Sequence, residues 1–228
     1  MIKQFILCLF LTCFSVVSLA KPAETTCPVA SNFDIIIDTQ SVRLIEQNSE
    51  LKIFPNGKMA LNQRNVTSDR VIQQKAAAFQ TYLRKELPAF LLLSDQQLAN
   101  IYQVFISAID KRLGNDSRLI QYIDRLNTRL KAILDAAIYH QDEQLIFNHQ
   151  KFNAIKHDGE DIAKRIFTTA TLDSLIHFNI FKNYSAIKTI AGEEWKAQKP
   201  ALKIFNQQVC DLMADINTQY NLLRAEID

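Results

Sequence analysis

Glycine and proline are scarce. The 228 residues hold four Gly and five Pro, below the usual shares of about 7% and 5%, which excludes collagen-like repeats and turn-dense all-β architectures. Neither sign of charge dominates, with 26 Lys+Arg against 24 Asp+Glu and a net charge of +2. That leaves no basic field for nucleic acid and no acidic tail. Glycines in series are missing, so a P-loop and a dinucleotide fingerprint are excluded, and so is a Gly-x-Ser-x-Gly nucleophile elbow. What the chain has is apolar substance. At 48% hydrophobic and 22% charged, it has the composition of a packed protein and not of a disordered one.

The N-terminus reads as an export signal. Lys3 supplies a positive charge, Phe5 to Leu19 form a nearly unbroken apolar run, and Ser18-Leu19-Ala20 puts small residues at a cleavage site before Lys21. The run is short for a bilayer span, which takes about 20 apolar residues. Phe10-Leu11-Thr12 before Cys13 is a poor lipobox. The expected organisation is a cleaved signal at 1–20 and one mature domain at 21–228, soluble in the periplasm and monomeric. The membrane is engaged only through the signal. Cys8 and Cys13 leave with the signal, and Cys27 and Cys210 remain. Two cysteines in an oxidising compartment allow one pairing, a structural staple for which loop closure gives about 5 kcal/mol at most. No Cys-x-x-Cys pair suggests redox chemistry.

Residues 33–66 read as strands. Phe33-Asp-Ile-Ile-Ile37 is β-branched, Val42 to Glu46 and Leu51 to Phe54 partly alternate, and Pro55-Asn-Gly-Lys58 is a hairpin signal. Three to five antiparallel strands are expected, enough to cover one side of a core. From 69 to 228 the period becomes helical. Ile72, Ala76, Phe79 and Leu83 mark a helix ending at Leu87-Pro88; Ser94 to Gln97 resembles a capping box opening a second, with Leu98, Ile101, Phe105 and Ile109 as its stripe. Asp116 or Ser117 caps a third helix, whose seam Leu119, Ile123, Leu126, Leu130, Ile133 and Ala137 is heptad-like. Gln144 to Asn148 is ambiguous between helix and one further strand. A fourth helical stretch runs from about Asp158 toward Phe181, and Leu202, Phe205, Val209, Leu212, Ile216, Tyr220 and Leu223 form a second seam. Gly57, Gly114, Gly159 and Gly192 all read as breaks between elements. The expected class is α+β: an N-terminal antiparallel meander packed on long, partly coiled-coil-like helices, with the two seams paired to each other.

Local catalytic signatures are lacking, and no catalytic, metal or cofactor residue is assigned. His140, His149, His157 and His177 have no i, i+4 partner that would put two metal ligands on one helical face. His157-Asp-Gly-Glu-Asp161 reads as a solvated helix start, and Glu193-Glu194 before Trp195 as acids favoured by a helix dipole. Ala89 to Leu93 and the aromatic stretch Leu175 to Tyr184 read as core or as a patch for an apolar partner. A non-catalytic envelope protein binding a protein or apolar ligand is therefore the first expectation. A small periplasmic hydrolase built from distant residues, centred on His140 to Asp161, is the alternative.

The order of these features is itself informative. Cys27, the Ile36-Ile-Asp-Thr-Gln-Ser-Val42 segment, the Pro55-Asn-Gly-Lys58 hairpin, Leu87-Pro88, Glu194-Trp-Lys196 and Val209-Cys210 succeed one another along the mature chain. The whole resembles the YggN family of exported proteins of unknown function from Gram-negative bacteria. One departure is Asn62-Gln63, where that family tends to have a second Asn-Gly turn. The resemblance implies the periplasm and a staple, and it carries no activity.

Overall fold

The computed structural model describes residues 30–155, 158, 161, 165 and 180–227. The signal segment, Cys27, His157 and His177 lie outside the described residues, as does most of the stretch expected as a fourth helix. Five strands come first: β1 (Asp34–Ile37), β2 (Val42–Glu46), β3 (Ser49–Ile53), β4 (Met59–Leu61) and β5 (Arg64–Val66). Helix α1 (Arg70–Leu113) and helix α2 (Arg118–Ala137) follow, then β6 (Ile138–Gln141) and β7 (Gln144–Phe147). Helix α3 is described over residues 149–155, and α4 (Ile180–Ala225) closes the chain.

The sheet has seven strands in the order β5-β4-β3-β2-β1-β7-β6, every pair antiparallel. The ambiguous segment at 144–148 is therefore a strand. Its partners are β6 and, across a large sequence gap, β1, with Ile35 opposite Phe147 and Ile37 opposite Leu145. Period-two alternation places Ile35, Ile37, Val42, Leu44, Leu51, Ile53, Leu145 and Phe147 on one buried face. Asp38 shapes the β1–β2 turn: its Oδ1 accepts from the N–H of Gln40 and of Ser41 at 2.8 and 2.7 Å. The Asn62-Gln63 turn closes β4 to β5 without a glycine, both residues holding positive φ of 48° and 68°. Asp142-Glu143 closes β6 to β7 the same way.

Two helix boundaries expected from sequence are absent. Residues 70–113 form one helix that passes through Pro88 and Ser94. Pro88 lies on the exposed side, where water can take up the carbonyl its ring leaves unbonded. Ser94 is no cap, since its hydroxyl donates back to the Phe90 carbonyl at 2.8 Å. Burial of Leu83, Leu87 and Phe90 across this stretch outweighs the propensity cost. The start is as expected, with Asp69 Oδ1 accepting from the Ile72 N–H. Similarly, α4 runs through Gly192 and Pro200. Gly192 is an exposed helical position, and only Gly57 and Gly114 of the described glycines terminate or turn the chain.

The two seams do not take each other as main partner. Helix α1 packs on both α2 and α4. Lys75–Glu226, the Phe90–Phe205 stack and Arg112–Glu193 show α4 running antiparallel to α1. Tyr102–Asp124 and Asp95–Lys131 show the same for α2. At about 1.5 Å per residue, α1 spans roughly 65 Å, long enough to carry both. Ala76, Phe79, Leu83 and Leu87 of α1 join the sheet to Met213, Ile216, Tyr220 and Leu223 of α4 in the main core. Farther along, Phe105, Ile109, Leu119, Ile123 and Ile190 make a smaller second core. None of the described helices is long and apolar enough to cross a membrane.

Candidate functional site

The segment most specific to the resemblance turns out to be architectural. Ser41 is fully buried, its hydroxyl reaches both Asp38 carboxylate oxygens, and its carbonyl accepts from Arg84 Nη2 at 3.0 Å. Burial raises the Asp38 pKa, but hydrogen bonds from Gln40 and Ser41 and the nearby Arg43 more than offset it, so the carboxyl sits below its ordinary range. This locks the sheet to α1.

The histidines separate on inspection. His140 is exposed on β6. His149 opens α3, where Asn148 accepts from the Lys151 N–H at 2.9 Å as an N-cap. Asp34 on β1 receives this helix start twice through Oδ1, from the His149 backbone N–H at 2.9 Å and at ring Nδ1, 2.7 Å away. Neither a hydroxyl nor a thiol among the described residues bonds the His149 ring. Asp34 and His149 thus form a strut between sheet and α3. Glu193 pairs with Arg112, which ties α4 to α1.

Helix α3, once seated, faces α2 across an open cavity of about 310 Å³ lined by Arg129, Ala132, Ile133, Ala136, Lys151 and Asp158. Arg129 and Ala136 lie two turns apart on the α2 wall, and Lys151 and Asp158 line the opposite side. The floor is methyl groups and the rim is charged. Arg129 and Lys151 are exposed, and neither forms an ion pair with a described residue. Lys131, by contrast, is engaged by Asp95 at 3.0 Å and Asp135 at 3.1 Å, which raises its pKa. The sequence reading missed this face because it followed the neighbouring apolar seam. Arg118, Tyr122, Arg125, Arg129, Ala132 and Ala136 recur at steps of three and four beside that seam, and this second stripe was the available signal.

Residues 27–219 match the family described as "Protein of unknown function (DUF2884)". The chain belongs to that family. It is 20% identical over 210 residues to "Uncharacterized protein YggN" of Escherichia coli K12, covering 86% of this chain and 88% of the relative. The proteins of the same description from Escherichia coli O6:H1 and O157:H7 are equally similar. No solved structure matches the chain. Cys210 is half-buried on α4; Cys27 lies outside the described residues.

Proposed function

We propose that this family member is exported to the periplasm, loses residues 1–20, and acts there as a monomeric, non-catalytic binding protein for a protein or apolar partner. The observation that carries this reading is the α2–α3 cavity, an apolar floor with exposed Arg129, Lys151 and Asp158 at its rim. A catalyst needs groups positioned to attack or transfer protons, whereas this surface offers shape, methyl groups and charge. The proposed staple joins Cys27 to Cys210 and ties the start of the mature chain to α4. Its support is that Cys27 and Cys210 are the two cysteines left once residues 1–20 are removed. Intact mass checks processing and staple together: a chain beginning at Lys21 and lacking two hydrogens is expected. A different N-terminus or two alkylatable thiols would refute it.

The binding role is tested by photo-crosslinking in living cells from exposed position 128, one turn before Ala132 and outside the cavity lining, with the exposed Leu222 position of α4 as control. Adducts at 128 and none at 222 are expected; equal yields at both would show nonspecific capture and defeat the reading. The second reading, a small hydrolase, is favoured by the 2.7 Å Asp34–His149 contact. It predicts a measurable ester or amide turnover that Asp34→Asn removes. The binding reading predicts no turnover in either protein.

A further inference from the structure

We infer that the α2–α3 cavity takes a single-chain amphiphile with a carboxylate head, of the fatty-acid type. This deepens the proposed function and rests on it. Three features of the cavity select the ligand. Its volume of about 310 Å³ falls at the small end of ligand pockets, roughly 300–1,000 Å³. A protein partner needs on the order of 1,000 Å² of buried surface in a stable interface, and a groove lined by six described residues supplies little of that. Second, Ala132, Ile133 and Ala136 offer no donor or acceptor side chains, so a polar ligand would bury unsatisfied groups against them. A methylene chain loses nothing there. Third, the charge at the rim is cationic where it is unpaired. Arg129 and Lys151 make no ion pair with a described residue, and a guanidinium holds a carboxylate through two parallel hydrogen bonds. The strut from Asp34 to His149 fixes the α3 wall, so the site is built on ordered elements.

The test is isothermal titration of the full mature protein with decanoate, kept below its micelle-forming concentration. Decyltrimethylammonium serves as the same chain with a cationic head, and acetate as the head alone. Decanoate is expected to bind at one per chain, decyltrimethylammonium at least ten-fold more weakly, and acetate without saturation. Arg129→Glu is expected to weaken decanoate at least ten-fold. Ala136→Trp and Ala132→Trp, at exposed positions, are expected to fill the groove and remove binding, with circular dichroism and melting temperature unchanged. Equal affinity for the two chain-bearing probes, or decanoate binding that survives either tryptophan in a folded variant, would overturn the inference. Failure with decanoate beside specific crosslinks from position 128 would sink the ligand class and leave the binding role standing. Decanoate binding without protein crosslinks would uphold the ligand class and remove a protein as the partner.

Discussion

Alanine at Gly57 provides a sharp test of how the sheet meets α1. Gly57 holds φ at +78° in the β3–β4 turn, and its N–H donates to the Phe54 carbonyl at 2.9 Å. A Cβ at this position would stand 1.8 Å from the Gln73 carbonyl oxygen and 2.6 Å from its carbon. The obstacle is backbone in the first turn of α1, which cannot rotate aside as a side chain would. Positive φ costs a non-glycine residue about 1–2 kcal/mol, and forcing apart packed elements costs a further 1–3 kcal/mol or so. The expected loss for Gly57→Ala is therefore about 2–5 kcal/mol. Gly114 and Gly192 are internal controls because neither Cβ would meet any atom within 4 Å. Gly114, at φ 85° and ψ 162°, pays for backbone strain alone, about 1–2 kcal/mol. Gly192 is helical, so alanine there is expected to stabilise by up to about 1 kcal/mol. Urea unfolding of the three variants should give midpoints in the order Gly57→Ala, Gly114→Ala, wild type, Gly192→Ala. A Gly57→Ala midpoint no lower than that of Gly114→Ala would refute the close approach of hairpin and helix.

Other parts of the structure give further expectations. Asp34→Ala leaves the part-buried His149 N–H without its acceptor, which costs about 1–2 kcal/mol and should speed amide exchange over residues 149–155. Burial, the Asp215 and Glu86 carboxylates and a 3.4 Å hydrogen bond to Asp215 push the Tyr82 pKa up to about 12. Its neutral form is the one the fold favours, so this contribution is complete below pH 10 and is lost as pH rises through about 12. Ultraviolet titration should show one of the six tyrosines ionising near the top of that range, and Tyr82→Phe should delete that step. Val209→Asp places a charge against the main core, where Val209 packs. It should unfold the chain at a cost of several kcal/mol, read by circular dichroism, whereas a soluble folded variant would show that α4 packs elsewhere.

Much of the sheet was legible because its residues obey one local rule. Ile35, Ile37, Val42, Leu44, Leu51 and Ile53 recur at period two within β-branched and apolar-rich segments, and all reach the buried face. Ser117 was legible as a cap for the same kind of reason, since its hydroxyl accepts from the Leu119 N–H. Longer-range facts were not. The pairing of β1 with β7 joins residues more than a hundred positions apart, and the Asp142-Glu143 turn that folds β6 onto β7 lacks the glycine usually marking one. Pro88, Gly192 and Pro200 carry local breaking signals that continuous packing on one neighbouring helix overrides. Heptad spacing in two segments shows that each needs an apolar partner. It does not say which, and α1 proved to be the partner of both. The cavity was hidden for a related reason: the Arg129 stripe is visible in α2, but Lys151 joins it only because Asp34 seats α3.

Binding on the outer face of α2, opposite α3, can be read amide by amide through chemical-shift mapping of the labelled mature chain during decanoate titration. Perturbed amides are expected to cluster at 129–136 and around 151, with the sheet and the far end of α4 unmoved. Shifts centred on β1 to β3, or spread evenly along α1 and α4, would contradict it.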